Sequence, residues 1–139
     1  MQKRLLIGVL GVLFVSMMLS GCQDTSSIKT QERPQNVILD STIVEFVNVT
    51  FEQNTNKSGG IESVTVGWLL HNIAGKMISA KINVKFYDKN NLFLYNETRQ
   101  ILNMPKGYTE QTFLPSNKVT YGGAGSASVD HVVISVTEL

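Results

Sequence analysis

The chain has 139 residues, a formal net charge of +1, a single cysteine and 42% apolar residues. The apolar content excludes a disordered chain, and a charge near zero argues against nucleic acid as the main partner, because phosphate binding needs a basic surface. One cysteine excludes an internal disulfide framework and a cysteine-rich zinc site. A chain of this length predicts one folded domain.

The N-terminal segment has the pattern of a secretory signal. Residues 1–22 read MQKRLLIGVLGVLFVSMMLSGC, in which Lys3 and Arg4 are followed by an almost wholly apolar run over residues 5–19. A membrane span needs about 20 apolar residues, so this run favours a signal peptide. The alternative is an N-terminal membrane anchor that keeps the segment.

The apolar run ends in a short motif of one apolar residue, two small residues and the only cysteine: Leu19, Ser20, Gly21 and Cys22. This motif resembles the lipobox of prokaryotic lipoproteins. The resemblance implies that residues 1–21 are cleaved off and that diacylglyceryl is attached to the Cys22 thiol, whereas an ordinary signal peptide would lack the lipid. Two acyl chains anchor a protein stably, so we expect the chain on the extracytoplasmic face of the cell membrane.

Residues 22–36 read CQDTSSIKTQERPQN and separate the signal from the rest of the chain. They are polar and show no periodicity, which predicts a flexible tether. The signal contains two of the twelve basic residues and none of the eleven acidic ones, so the mature chain carries ten basic and eleven acidic side chains. Its net charge is therefore close to −1.

From residue 37 onward, apolar residues alternate with polar ones, which is the period of a half-buried strand. The clearest strands are predicted over residues 43–51, 62–70, 78–88 and 132–136, and weaker ones over residues 92–102, 109–114 and 118–121. Clusters of glycine, proline and asparagine separate them. We therefore predict an all-β domain over residues 37–139, an immunoglobulin-like antiparallel β-sandwich of about seven strands with Trp68 in its core.

The middle of the domain carries a second resemblance. The predicted strand ending at residue 70 is followed by Asn72, the turn residues 74–76 (AGK), and a strand that ends in residues 86–88 (FYD). This pattern resembles the FxLYD-type domains of prokaryotic lipoproteins and the sandwich domains of late-embryogenesis-abundant proteins, although residues 90–91 (NN) replace the usual Asp-Gly. The resemblance implies a β-sandwich outside the cytoplasm and supplies no catalytic residues.

Few residues point to chemistry. His71 and His131 are too few ligands for a metal site, so we expect ordinary hydrogen bonds from both, and no cofactor. Asp88 is expected to accept backbone donors in a turn. The sequence GGAGS at residues 122–126 lacks the lysine and the helix of a phosphate-binding loop, and we predict that it connects a hairpin.

Two surface features remain. Lysines on and around one strand are consistent with a basic stripe that contacts anionic lipid or wall polymer, with a plain solvated face, or with protection of a sheet edge: Lys76, Lys81, Lys85 and Lys89. Three asparagines lie in N-glycosylation acceptor patterns: Asn48, Asn56 and Asn96. Their use depends on an organism that glycosylates outside the cytoplasm.

The sequence thus predicts a lipid-anchored β-sandwich, not an enzyme, with a binding or scaffolding role in the cell envelope. Its expected partners are the membrane, through Cys22, and other envelope proteins or polymer. The alternatives are a carrier of a small apolar ligand between the sheets and an accessory subunit of an envelope enzyme.

Overall fold

The computed structural model describes residues 33–139, and the predicted signal, lipobox and most of the tether lie outside this range. Within it, the chain forms seven strands and two short 3-10 turns at Pro115–Asn117 and Ser126–Ser128. The strands are β1 (Val37–Asp40), β2 (Val44–Thr55), β3 (Ile61–Asn72), β4 (Ile78–Tyr87), β5 (Phe93–Met104), β6 (Lys118–Tyr121) and β7 (His131–Glu138).

The strands form two sheets, which confirms the predicted β-sandwich. The first sheet has the order β1-β7-β4-β5, and the second has the order β2-β3-β6. Every pair is antiparallel except β1–β7, in which Val37 lies beside Val132 in a parallel ladder. The edge strands of the described sheets are therefore β1 and β5 in one sheet, and β2 and β6 in the other.

The core lies between the sheets and is built from the alternation that the sequence shows. In β4, Ile82, Val84 and Phe86 are at most 2% exposed, and the residues between them face solvent. Trp68 of β3 is 1% exposed, as predicted, and lies in the same core cluster. Burying a large apolar side chain contributes about 1.5–3 kcal/mol, so this layer supplies the main stabilisation that holds the two sheets together.

The strand predicted over residues 109–114 does not form. Thr109 makes only an isolated antiparallel bridge with His71, and the chain beyond it forms no strand before β6 and only the 3-10 turn at Pro115–Asn117. The Glu110 N–H donates to the Leu70 carbonyl (2.9 Å), and its carboxylate accepts the Leu70 N–H (2.8 Å). The Glu110 carboxylate thus takes the place of a backbone carbonyl as the partner of the Leu70 N–H, and the chain leaves the sheet here. The seventh strand is instead β1.

The Gly-rich segment at residues 122–126 is not a hairpin connection, because β6 and β7 belong to different sheets. It crosses from one sheet to the other beneath the ring of Tyr121, whose hydroxyl accepts the Gly125 N–H at 3.2 Å. A Cβ on Gly123 would lie 2.4 Å from that ring, which is closer than side chains tolerate. Glycine is therefore required here for packing.

Asn72 is the buried asparagine of the second resemblance, and its side chain joins two loops. It is 1% exposed. Its Nδ2 donates to the carbonyls of Lys76, Met104 and Pro105 at 2.8–3.2 Å, and its Oδ1 accepts the Ala74 N–H. An amide supplies both donors and an acceptor, which explains why this position holds asparagine.

Replacing Trp68 by alanine tests the position of the core. Trp68→Ala should reduce the free energy of unfolding by about 3–5 kcal/mol, because the cavity cannot be refilled. Leu92→Ala, at a side chain that is 63% exposed, is the control and should change it by less than about 0.5 kcal/mol. Denaturant unfolding followed by circular dichroism measures both variants. Equal losses would place Trp68 outside the core, and Trp68→Phe gives a graded loss if the alanine variant does not fold.

Candidate functional site

The residues of the predicted lipobox, Leu19, Ser20, Gly21 and Cys22, lie outside the described residues. The part of the chain that the structure describes, residues 33–139, contains no helix long and apolar enough to cross a membrane. Arg33, near the end of the predicted tether, contacts the sandwich: its guanidinium donates to the Phe46 carbonyl at 3.0 Å and lies over the Phe46 ring.

The three asparagines in acceptor patterns lie in different surroundings. Asn48 is half-buried in β2 and accepts the Val49 N–H. Asn56 is exposed in the β2–β3 connection, where its Oδ1 accepts two backbone N–H groups. Asn96 is exposed on β5. Glycosylation at these positions stays a prediction.

The histidines make ordinary hydrogen bonds, and Asp88 accepts backbone donors in a turn, as was expected. His71 Nδ1 lies 2.6 Å from Thr109 Oγ1, and His131 Nδ1 lies 3.0 Å from Asp130 Oδ2. Asp88 Oδ1 accepts the N–H groups of Asn90 and Leu92, both at 2.8 Å. No group of three or more histidine, cysteine, aspartate or glutamate side chains in residues 33–139 is arranged to hold a metal ion.

The strand that carries the predicted lysine stripe is not a sheet edge. Lys81 and Lys85 lie on the solvent face of β4, which has neighbours on both sides, and Lys76 forms an ion pair with Glu138 at 2.7 Å. Edge protection was therefore the wrong interpretation. The two other interpretations of these lysines remain, namely a solvated face and a contact with anionic lipid or wall polymer.

The structure brings together a set of residues that the sequence analysis did not single out. They line a groove of about 540 Å³ between the edge strands β5 and β6: Glu97, Arg99, Phe113, Leu114, Pro115, Lys118 and Thr120. We call this feature the β5–β6 groove. Leu114 is 53% exposed there, and Phe113 before it is half-buried.

The charged wall of the groove comes from side chains that face inward on an edge strand. Glu97 lies opposite Val84 and Arg99 opposite Ile82, so both project from the face that carries the core. They form an ion pair with each other, and Arg99 also donates to the Lys118 carbonyl at 3.5 Å. Inward charges on an edge strand discourage pairing with another chain and leave a polar opening between the sheets.

The apolar wall is the segment between residues 109 and 117, which fixed contacts hold beside β3. Besides the two Glu110 bonds, Asn117 Nδ2 donates to the Trp68 carbonyl at 3.3 Å. The Lys118 Nζ lies 5.8 Å from the centre of the Phe113 ring. A smaller recess of about 130 Å³ adjoins the groove and reaches Trp68 and Ile82. The wall is therefore preformed and partly apolar.

An aromatic contact joins the two edge strands beside the groove. The rings of Tyr95 and Tyr121 stack with their centres 4.8 Å apart and link β5 to β6. The Tyr95 hydroxyl donates to Glu97 Oε2 at 3.2 Å. Removal from water, and after it the Glu97 carboxylate, raise the pKa of Tyr95 above its ordinary value, so the hydroxyl stays a donor to a higher pH than that of a free tyrosine.

The groove can hold a ligand that has both an apolar part and polar groups. Its carboxylate and guanidinium are already paired, so neither is poised as a free base or nucleophile. Leu114 offers apolar contact, while Lys118 and the backbone offer polar contact. One sign in the sequence was that every second residue of the weak strand 92–102 reads apolar, charged, charged, apolar at positions 95, 97, 99 and 101, which places two charges on the inward face.

Comparisons with known proteins add a distant structural likeness. No family model matches the sequence, and no curated protein matches it. The crystal structure of Campylobacter jejuni cj0090 is similar, with a TM-score of 0.40 and 14% sequence identity, over 75% of this chain and 98% of that one.

The pKa of Tyr95 reports on the polar wall of the groove. Glu97→Gln should lower this pKa, because the variant loses the carboxylate that repels tyrosinate and accepts its hydroxyl hydrogen bond. Ultraviolet absorbance of tyrosinate, with Tyr95→Phe subtracted in each background, measures it. Glu45→Gln on exposed β2 surface is the matched control. An unchanged pKa in Glu97→Gln would contradict the described arrangement.

Proposed function

We propose that this chain is a lipid-anchored extracytoplasmic β-sandwich that binds a component of the cell envelope in the β5–β6 groove. The observation that carries the binding role is the groove itself: a preformed recess of about 540 Å³ with one charged wall and one apolar wall. Functional contacts on β-scaffolds are usually made by loops that the rigid sheets position, and the segment at residues 109–117 is such a loop.

The anchor rests on the N-terminal sequence. The positive start, the apolar run and the small residues before Cys22 agree with the lipobox of prokaryotic lipoproteins, and the only cysteine stands where lipid attachment needs a thiol. Diacylglyceryl would hold the mature chain at the membrane, and the tether would let the domain meet envelope proteins or polymer nearby.

Two observations favour binding in the groove over the alternatives. The space between the sheets is occupied by Trp68, Phe86 and the other core side chains, which speaks against a carrier with an apolar ligand there. The Glu97 carboxylate and the Arg99 guanidinium in the groove are paired with each other, which favours recognition over catalysis. Paired charges can exchange partners with a ligand at small cost near a protein surface.

Metabolic labelling tests the anchor. Cells that produce the chain, grown with a radioactive fatty acid, should incorporate label into the wild type and lose it in Cys22→Ser, which lacks the thiol. Ser20→Ala is the matched control, because it keeps a small residue and should keep the label. Equal incorporation in wild type and Cys22→Ser would refute lipid attachment.

Photo-crosslinking tests the groove. A photoreactive amino acid in place of Leu114, in the full chain in intact cells, should give a discrete adduct that mass spectrometry identifies. The same amino acid in place of Leu92 is the control, since that side chain is similarly exposed, at 63% against 53%, and does not line the groove. An adduct at residue 92 alone, or none at residue 114, would contradict binding in the groove.

A further inference from the structure

One end of the sandwich exposes several large apolar side chains. It contains the β3–β4 turn, the end of β5 with the loop that follows it, and Leu139 after β7, and we call it the apolar end. The side chains are 48–67% exposed and belong to Ile73, Met77, Leu102, Tyr108 and Leu139. Where exposed apolar side chains lie together on a small domain, the surface that they form marks a contact with a partner or a membrane.

Hydrogen bonds show that these segments lie together. The Asn72 side chain joins the β3–β4 turn to Met104 and Pro105, and the Asn72 N–H donates to the Tyr108 carbonyl at 2.9 Å. Ser79, at the start of β4, accepts the Asn103 N–H with its hydroxyl and the Leu139 N–H with its carbonyl. The apolar end is therefore a fixed surface.

The charged groups around the apolar end include two exposed lysines, Lys76 and Lys106. Two carboxylates are also near: Glu138, which is paired with Lys76, and Glu45, which lies opposite His71. Lys106 sits in the same loop as Tyr108. A tyrosine and lysines around apolar side chains are the composition that favours the boundary between lipid headgroups and acyl chains.

The chain outside the described residues is short enough to bring this end to a membrane. Ten residues, 23–32, separate Cys22 from Arg33, and an extended chain spans at most about 3.6 Å per residue, or about 36 Å in total. Arg33 is bonded to Phe46, two residues along β2 from Val44, which lies opposite Asn72 at the apolar end. Two strand residues span only about 7 Å.

We propose that the apolar end rests on the lipid bilayer, with Met77, Tyr108 and their neighbours inserted among the headgroups. This inference rests on the proposed lipid anchor, which raises the local concentration of the domain at the surface and makes a weak contact sufficient. The β5–β6 groove would then lie on the side of the tethered domain, open to other envelope components.

Fluorescence quenching in vesicles tests the contact. The full chain, purified from membranes with its lipid, is reconstituted into vesicles of phosphatidylcholine and phosphatidylglycerol, with or without brominated acyl chains. Met77→Trp places a fluorophore at the apolar end, and Leu92→Trp, at a similarly exposed position, is the control. Trp68 is buried and gives the same background in both.

Brominated lipid should quench most of the added emission of Met77→Trp and leave that of Leu92→Trp unchanged, and Tyr108→Asp should reduce the quenching. Equal quenching at the two positions, or no quenching at residue 77, would overturn the inference. The absence of quenching at residue 77 is also the result expected if a protein, and not the bilayer, covers this end. The mass of the purified chain reports separately on the lipid. A lipidated chain without quenching at residue 77 therefore refutes the membrane contact alone.

Discussion

The layer of side chains between the two sheets is the constraint on which the rest of the molecule depends. Trp68 from β3 and Phe86 from β4 are almost fully removed from water and belong to one continuous cluster. Side chains alternate between the two faces of a strand, so only every second residue can fill this layer. The layer therefore determines which face of each strand points inward. The spacing of the sheets, and hence the recess between their edges, follows from it.

The two open sides of the sandwich differ in the structure of their edge strands. On one side, Arg33 bonds to β2 and a short parallel β1 extends the first sheet. On the other, β5 turns the Glu97–Arg99 pair inward, and Glu110 and Asn117 fasten an irregular segment to β3. These charged and polar groups interrupt the apolar layer before the edge. The interruption leaves the β5–β6 groove, with the apolar side chain of Leu114 exposed on its far wall.

The sequence was sufficient to predict the structure where the apolar pattern within a single strand determines it. The alternation in β4 and the inward position of Trp68 needed no information beyond the strand period. It was insufficient where the outcome depends on distant partners. Val37 begins a strand because Val132 lies beside it, and residues 109–114 fail to continue one because the Glu110 carboxylate takes the Leu70 N–H. The groove needs both edges and so is absent from any single segment.

The molecule thus has two surfaces for distinct proposed contacts, the apolar end toward the bilayer and the β5–β6 groove toward an envelope component. Amide hydrogen exchange of the full chain, compared in native membranes and after purification, tests binding in the groove most directly. We expect slower exchange in membranes at β5 and residues 109–118, because a bound partner would cover their backbone. Identical exchange rates at β5 and residues 109–118 in the two preparations, with slower exchange in membranes elsewhere in the chain, would contradict binding in the groove.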